Sequence, residues 1–418
     1  MGKPKIRFKG YTEEWEQRKL GELVDVCSGR DYKHLSEGTI PVYGTGGYML
    51  SVNAALSYDR DAIGIGRKGT IDRPYILKAP FWTVDTLFYA IPREKVDLNF
   101  AFDSFQNIDW KKKDESTGVP SLSKTAINDI DVLAPKHGEQ QTIGKFFAAI
   151  DHLITLHQRK YEETQKLKKY MLQKMFPQNG KKVPEIRFAG FTEEWEQRKL
   201  DEEVEFYSGL TYSPDDVIDS KGTFVLRSSN VKNGEIVKAD DVYVSSQIVN
   251  SNNVKRGDII VVVRNGSRAL IGKHAQIKEE MPSTVIGAFM TGIRAEQAEF
   301  INALLDTPAF DIEVKRNLGA TINQITGYMF SKMEFLFPKD KEEQKRIGDC
   351  FTEIDNLITL HQRKLNNLKK LKKICLEKIF VRRNKQMERI ILYHGSLDMV
   401  REVICFHNPD EENCELLG

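Results

Sequence analysis

The sequence has few cysteines and no long apolar run. Its cysteines are odd in number, scattered and without C-x-x-C spacing: Cys27, Cys350, Cys375, Cys405 and Cys414. This usage indicates reduced thiols in a cytoplasm and no metal site, since only the irregularly spaced Cys405, His407 and Cys414 offer zinc ligands. No stretch approaches the roughly 20 apolar residues that span a bilayer, and residues 1–5 lack the apolar segment of a secretion signal. We therefore expect a cytoplasmic protein.

Signatures of catalysis are also missing. The sequence has no G-x-x-x-x-G-K-[ST] loop for ATP phosphates, and Asn408-Pro409-Asp410 lacks the second proline and the aromatic of an amino-methyltransferase motif. Gly64–Gly69 matches G-x-G-x-x-G, but a strand-and-turn segment follows it where a nucleotide site needs a helix, so we expect a glycine-rich hairpin. Asp215 and Glu313 lie too far apart to indicate a nuclease. The sequence predicts no catalytic residue and no cofactor held by this chain.

The charge is unevenly distributed along the 418 residues, a length that favours two domains. Residues 388–418 hold seven acidic and two basic residues, a net charge of −5, so the rest of the chain carries +7 of the total of +2. A moderately basic body is compatible with a nucleic-acid partner.

An internal repeat is the strongest signal. Residues 4–22 and 184–202 share 15 of 19 positions, and residues 139–176 resemble residues 343–380. The offsets are 180 and 204 residues, so the chain is a tandem duplication with similar ends and divergent middles. We expect the TEEWEQRKL segments, with Trp15 and Trp195, to be helix starts that lock each domain to a long helix.

The second pair of repeats predicts two long helices, which together form a coiled-coil seam. Apolar residues recur at 3/4 spacing in each: Ile143, Phe147, Ile150, Ile154, Tyr161, Met171 and Met175, then Ile347, Phe351, Ile354, Ile358, Leu365, Leu368, Cys375 and Ile379. Such seams need a partner, so antiparallel pairing is favoured over two separate surface helices. His157 and His361 within LITLHQRK are interpreted as packing residues.

The divergent middles alternate β-branched or aromatic residues with glycine-rich turns, in segments such as TIPVYGTGGY, DAIGIGRKGTI, GDIIVVVRNGS and TVIGAFMTGI. Their loops carry the side chains that bases and phosphates require. The candidate DNA contacts are Tyr43, Thr45, Arg67, Lys68, Thr70 and Arg73 in the first domain, and Arg227, Ser229, Asn230, Arg264, Asn265, Ser267, Arg268 and Lys273 in the second.

Over residues 4–382 this order of segments, with IPVYGTGGY, IGRKGTID, FWTVDT and LITLHQRK, resembles the specificity subunit of Type I restriction-modification enzymes. The resemblance implies two target recognition domains that bind a bipartite asymmetric DNA site. It implies two modification subunits, which bind S-adenosylmethionine, and two restriction subunits, which use ATP and Mg²⁺. It also makes the long helices docking surfaces for the modification subunits, with Ile150, Ile154, Tyr161, Ile354, Ile358 and Leu365 as the representative positions.

We therefore expect an α+β or α/β protein with two target recognition domains in a pseudo-twofold tandem repeat, linked by two long antiparallel coiled-coil helices. The expected segments are 1–138, the helix 139–178, 179–338, the helix 339–384, and an acidic tail 385–418 without an assigned role. The expected function is non-catalytic DNA recognition within a restriction-modification complex. The alternative is a stand-alone bipartite repressor or architectural protein.

Overall fold

The chain forms two compact units of mixed α/β structure. The computed structural model describes residues 4–219, 221–318 and 323–380, and the predicted acidic tail lies outside them. Unit 1 comprises residues up to Gln158 together with those from Arg363, and unit 2 comprises Arg159–Gln362. Among the described residues, none of the helices has the combination of length and apolar character needed to cross a membrane.

The strands of unit 1 are β1 (Glu16–Lys19), β2 (Val24–Ser28), β3 (Glu37–Gly44), β4 (Gly47–Val52), β5 (Ala62–Gly66), β6 (Tyr75–Leu77), β7 (Trp82–Thr83), β8 (Leu87–Pro92) and β9 (Asp131–Ala134). Those of unit 2 are β10 (Glu196–Lys199), β11 (Val204–Ser208), β12 (Val217–Ile218), β13 (Thr223–Leu226), β14 (Val231–Lys232), β15 (Glu235–Ile236), β16 (Val242–Val244), β17 (Ile259–Val262), β18 (His274–Gln276), β19 (Thr284–Ile286), β20 (Met290–Ala295) and β21 (Glu334–Phe337). They include strands in every predicted β segment.

The helices are α1 (Leu20–Leu23), α2 (Leu98–Asn107), α3 (Lys124–Asn128), α4 (His137–Met175), α5 (Ala298–Leu305), α6 (Pro308–Asn317), α7 (Gly327–Ser331) and α8 (Lys341–Ile379). Short 3₁₀ turns occupy Trp110–Lys113, Leu200–Glu202, Pro214–Asp216, Ser228–Asn230, Ser246–Ile248 and Arg268–Leu270. The helices α4 and α8 are each 39 residues long and lie where the periodicity predicts long helices.

Both units contain the same central antiparallel sheet. Its strand order is β2-β8-β5-β6 in unit 1 and β11-β20-β17-β18 in unit 2. The middle strands β5 and β17 are buried at every position, as expected for apolar runs covered on both faces. The antiparallel pairing of β5 with β6 makes residues 62–77 the hairpin that the glycine-rich sequence predicts, so Gly64–Gly69 is not a nucleotide loop.

A second small sheet in each unit contains a parallel pair. β3 pairs with β7 in unit 1 and β13 pairs with β19 in unit 2, whereas the other pairs in these sheets are antiparallel. Backbone bonds place the ends of β3 and β13 at equivalent points: Val84 donates to the Tyr43 carbonyl at 3.0 Å, and Gly287 donates to the Leu226 carbonyl at 2.8 Å. The duplication that is visible in the repeated sequence segments therefore extends through the divergent middles.

The predicted helix starts at TEEWEQRKL are wrong. Glu16–Lys19 is a strand that pairs antiparallel with β9, and Glu196–Lys199 pairs in the same way with β21. Trp15 and Trp195 are buried directly before these strands. Pairing with a strand more than 110 residues away satisfies the backbone of these charged segments, and no local helix is needed.

The repeated segments do attach each domain to its long helix. Arg7 forms a two-bond ion pair with Glu139 at 2.8 Å, and Arg187 does the same with Glu343 at 2.7 and 2.8 Å. Both carboxylates are almost completely buried. Trp15 adds a hydrogen bond from Nε1 to Glu139 at 3.3 Å. Side chains of the repeated segments 4–22 and 184–202 therefore fix the first turn of α4 and α8.

Each unit contains half of each long helix. In unit 1, Phe380 lies beyond the end of α8 and packs against Phe147 of α4, with ring centroids 6.1 Å apart. In unit 2, Phe176 lies beyond the end of α4 and packs against Phe351 of α8, at 6.0 Å. These rings belong to the main hydrophobic core of their unit, so the helices are part of both cores.

Candidate nucleic-acid interface

Basic side chains follow the buried strands β5 and β17 in equivalent backbone positions. The amides of Lys68 and Arg264 donate to the carbonyls of Thr86 and Phe289, at 3.3 and 3.2 Å. Each residue also forms an isolated antiparallel bridge, Lys68 with Ser121 and Arg264 with Gln324. The rigid sheet thus presents a cation at the same point of both units.

In unit 1 the candidate loop is solvent-exposed. Arg67, Lys68, Thr70 and Arg73 are all exposed within residues 67–74, which connect β5 to β6. The Arg67 guanidinium lies 5.8 Å from the Phe88 ring centroid, within cation–π distance. These four side chains are therefore accessible to a ligand.

Tyr43 and Thr45 lie at the turn between β3 and β4. Tyr43 is half-buried and its ring packs against Tyr48 and Tyr75, with centroids 6.4 and 6.1 Å away. The Tyr75 hydroxyl donates to the Gly44 carbonyl at 2.7 Å, and burial raises the pKa of Tyr75, which keeps it a donor. Tyr43 thus supports the turn. The neighbouring Tyr48, 63% exposed, was not singled out from sequence, although it follows the same glycine-rich turn.

In unit 2 a pocket of about 660 Å³ brings candidates from separate loops together. Arg227 and Ser229 follow β13, and Asn265 follows β17, yet all three line the pocket with Tyr212 and Phe289. The Asn265 amide donates to Ser228 Oγ at 3.0 Å, which links the two loops. Arg264 is not among the lining residues, but its guanidinium carbon lies 4.9 Å from the ring centroid of Phe289, which is.

The remaining candidates of unit 2 divide into two groups. Ser267, Arg268 and Lys273 are exposed in the connection between β17 and β18, outside the lining of this pocket. Asn230 is different because its side chain is fully buried: Oδ1 accepts from the Arg227 amide at 3.0 Å and Nδ2 donates to the Val237 carbonyl at 3.1 Å. Its assignment as a DNA contact is wrong, since its polar atoms already close a turn.

The aromatic residues of the pocket were missed from sequence. Phe289 is 50% exposed, and Tyr212 lines the same pocket. Exposed aromatic rings beside guanidinium and amide groups provide stacking and apolar contacts, which bases accept together with hydrogen bonds. The only sequence signal was the aromatic residue within TVIGAFMTGI, which is equally typical of a strand.

The six helix positions predicted for partner docking differ in accessibility. Ile150, Ile354 and Leu365 are buried, and Ile154, Tyr161 and Ile358 are partly buried. Ile150 and Ile354 belong to the main core of their units, and none of the three buried side chains is available to a partner. Docking of a partner subunit on α4 and α8 stays a prediction. We expect the exposed residues of these helices to make the contacts.

Across residues 4–219, 221–318 and 323–380, no group of three or more His, Cys, Asp or Glu side chains is arranged to hold a metal ion. What both units do present is cations, amides, hydroxyls and rings at strand ends. This arrangement suits hydrogen bonding to base edges and phosphates.

Comparison with known protein families agrees with this geometry. The family model described as the Type I restriction modification DNA specificity domain matches residues 12–166 and 192–370, one match for each repeat and together most of the chain. The chain belongs to this family. The two specificity domains match separately, which agrees with the duplicated sheets.

Two known proteins are similar to this chain. The MjaVIII Type I restriction enzyme specificity subunit of Methanocaldococcus jannaschii is 26% identical over 276 residues, which are 63% of this chain and 64% of that relative. The alignment therefore spans slightly less than two thirds of that relative's length. The crystal structure of a Type I restriction-modification S subunit from M. genitalium matches with a TM-score of 0.69 at 12% identity, covering 92% of this chain and 100% of that chain. At this identity the second likeness concerns the fold alone.

Proposed function

We propose that the chain binds a bipartite asymmetric DNA sequence, with one half-site bound by each unit, and performs no chemistry itself. The observation that carries the proposal is the equivalence of Lys68 and Arg264 at the ends of the central strands β5 and β17. The same backbone position holds a different side chain in each unit. Two scaffolds of one design with different base contacts would recognise two different half-sites.

The loops after β3 and β13 support the asymmetry. Tyr43 and Leu226 are equivalent residues. Tyr43 is followed by Gly44-Thr45 in unit 1, and Leu226 is followed by Arg227-Ser228 in unit 2. Arginine makes paired hydrogen bonds to guanine, whereas a short hydroxyl side chain has no such preference. The two half-sites are therefore expected to differ in base composition.

We further propose that α4 and α8 pair as an antiparallel coiled coil. In unit 1, Phe147 packs against Phe380 and Asp151 bonds Lys372; in unit 2, Phe176 packs against Phe351 and Lys168 bonds Asp355. In both units, residue numbers rise along one helix as they fall along the other. Contacts of this order support antiparallel packing.

The proposal extends to the partners that the family resemblance implies. Two modification subunits would dock on α4 and α8, bind S-adenosylmethionine and methylate adenine in each half-site. Two restriction subunits would supply ATP-dependent work. Exposed side chains such as Leu167 and Tyr170 on α4, 49% and 50% accessible, give that helix apolar area for a partner.

The decisive experiment is selection of random-sequence duplex DNA by the purified full chain, repeated after its modification partner is added. We expect two short conserved blocks separated by an unspecified spacer, and adenine methylation only when the partner and S-adenosylmethionine are present. A single continuous block would contradict the two-site proposal. Methylation by the chain alone would contradict its non-catalytic role.

A domain exchange provides the second test. Replacing residues 203–338 with the corresponding segment of another family member should change one block and leave the other unchanged. If both blocks changed together, the units would not act as separate recognition modules.

A further inference from the structure

A basic groove lies in unit 1, apart from the strand ends described above. Its volume is about 540 Å³, and it is lined by Arg73 together with three lysines of α8: Lys369, Lys372 and Lys373. The carboxylates in its lining are Asp72 and Glu377. Cations therefore outnumber anions two to one around this groove.

Two of these charges are already engaged. Lys372 Nζ lies 2.6 Å from both carboxylate oxygens of Asp151, and Asp72 accepts an ion pair from Lys111 at 3.0 Å. Arg73, Lys369 and Lys373 are exposed, and none of the three has an ion-pair partner within the described part of the chain. Three unpaired cations thus line one groove, and like charges held together favour an anionic ligand.

The corresponding surface of unit 2 is less basic. The repeat offset of 204 residues makes Gln165 equivalent to Lys369 and Lys169 equivalent to Lys373. Lys168, equivalent to Lys372, bonds Asp306 and Asp355. The excess of cations is therefore a property of unit 1 and not of the fold as such.

We propose that this groove binds the phosphodiester backbone of DNA next to the half-site contacted by unit 1. The inference rests on the proposed function and adds a sequence-independent contact to it. Lys369 and Lys373 are four residues apart, about 6 Å along the helix axis, which corresponds to roughly two nucleotides of one strand. Arg73 lies in the β5–β6 loop that also carries Arg67 and Lys68. A DNA strand bound at this loop would therefore continue into the groove.

The test uses the full chain with the double substitution Lys369→Gln and Lys373→Gln, which leaves the partly buried ion pair of Lys372 with Asp151 intact. The control is Lys370→Gln, an exposed lysine of the same helix that does not line the groove. The probes are random-sequence duplex DNA and the duplex selected by the wild-type chain, and the dissociation constant of each is measured across a series of salt concentrations. Each lost phosphate contact lowers the slope of log K against log salt by about 0.9, so the double variant should lose about 1 to 2 in slope.

The outcomes separate this inference from the proposed function. A reduced slope in the double variant, with unchanged slopes in Lys370→Gln and in Lys369→Arg with Lys373→Arg, supports the groove. An unchanged slope in a chain that binds DNA overturns it, as does a loss confined to the selected sequence. If the wild-type chain bound no DNA, the proposed function itself would fail. The thermal unfolding midpoint of each variant shows whether it is folded.

Discussion

The guanidinium carbon of Arg264 lies 4.9 Å from the centroid of the Phe289 ring. A cation held over a ring has fewer accessible rotamers, so less conformational entropy is lost when it contacts a base. Arg264 follows β17 and Phe289 directly precedes β20, and the pairing of these two strands fixes the separation of the two residues. Arg264 would thus be oriented before the proposed DNA contact forms.

Arg264→Ala should relax specificity at one position of the half-site bound by unit 2, at a cost of about 1–3 kcal/mol in binding. Arg264→Lys keeps the charge but loses the planar fork, so specificity should fall while non-specific affinity is retained. Selection of random duplexes measures both effects. The block contacted by unit 1 is the internal control, and its alteration by either substitution would contradict the assignment.

Arg187→Met should destabilise unit 2 by about 3–5 kcal/mol, because it leaves the buried Glu343 carboxylate without its cation. Replacing both Arg187 and Glu343 with methionine should recover much of the loss. The matched control is Arg18→Met, which breaks the exposed pair with Glu16 and should cost less than about 1 kcal/mol. Urea denaturation of the three variants gives the comparison, and equal losses from Arg187→Met and Arg18→Met would refute it.

Asp103→Asn should change the dependence of stability on pH. Burial raises the pKa of the Asp103 carboxyl well above its usual range, a shift that Lys372 opposes and Asp151 reinforces. The folded chain therefore holds this proton more tightly than the unfolded chain. The resulting stabilisation is complete below the unfolded pKa of about 3.9 and is lost as the pH rises through the folded pKa.

The asparagine variant does not titrate at this position and so lacks this loss. Its free energy of unfolding should therefore increase relative to that of the wild type as the pH rises. Denaturation midpoints measured from pH 4 to pH 8 test the trend. Asp306→Asn in unit 2 is the contrasting variant, because Asp306 bonds Lys168 at 2.6 Å and the loss of its charge should destabilise the chain at neutral pH. A constant difference between Asp103→Asn and wild type across the range would show that Asp103 does not titrate as argued.

Gly348→Ala should destabilise the chain by about 1–3 kcal/mol, although alanine is the better helix former. A Cβ at this position would lie 2.6 Å from the backbone nitrogen of Phe300, too close for either backbone to accommodate. Gly138→Ala, in the first turn of α4, meets nothing within 4 Å and should be neutral or stabilising. Thermal unfolding of the pair distinguishes close packing from helix propensity, and a stabilised Gly348→Ala would exclude the clash.

Much of the fold was accessible from the sequence because its signals are local and repeated. The 3/4 spacing from Ile143 to Met175 predicts α4, and the apolar run at Ile259–Val262 predicts a buried strand. The strand at Glu16–Lys19 was missed because all four of its residues are charged or polar and exposed, without the alternation of a half-buried strand. Its identity is set by pairing with Asp131–Ala134, which no local pattern encodes.

The candidate site shows the same contrast between local sequence signals and contacts that depend on distant segments. Residue type alone indicates which side chains can bind DNA, and the positions of Arg67 and Arg264 at strand ends agree with it. It does not distinguish Asn230, whose amide closes a turn, from Asn265, which lines a pocket. That distinction depends on the Val237 carbonyl, which the chain brings back to Asn230 only after β14 and β15.

The position of Phe380 in the core of unit 1 has a consequence for synthesis on the ribosome. Unit 2 is one continuous stretch of chain, whereas unit 1 needs the residues from Arg363 onward. While the nascent chain is growing, Trp15, Phe100 and Phe147 emerge long before Phe380, the ring that packs against all three. Unit 2 can therefore complete its core first, and a chain that stops at Gln362 would leave the earlier unit with an open apolar surface and a need for chaperones.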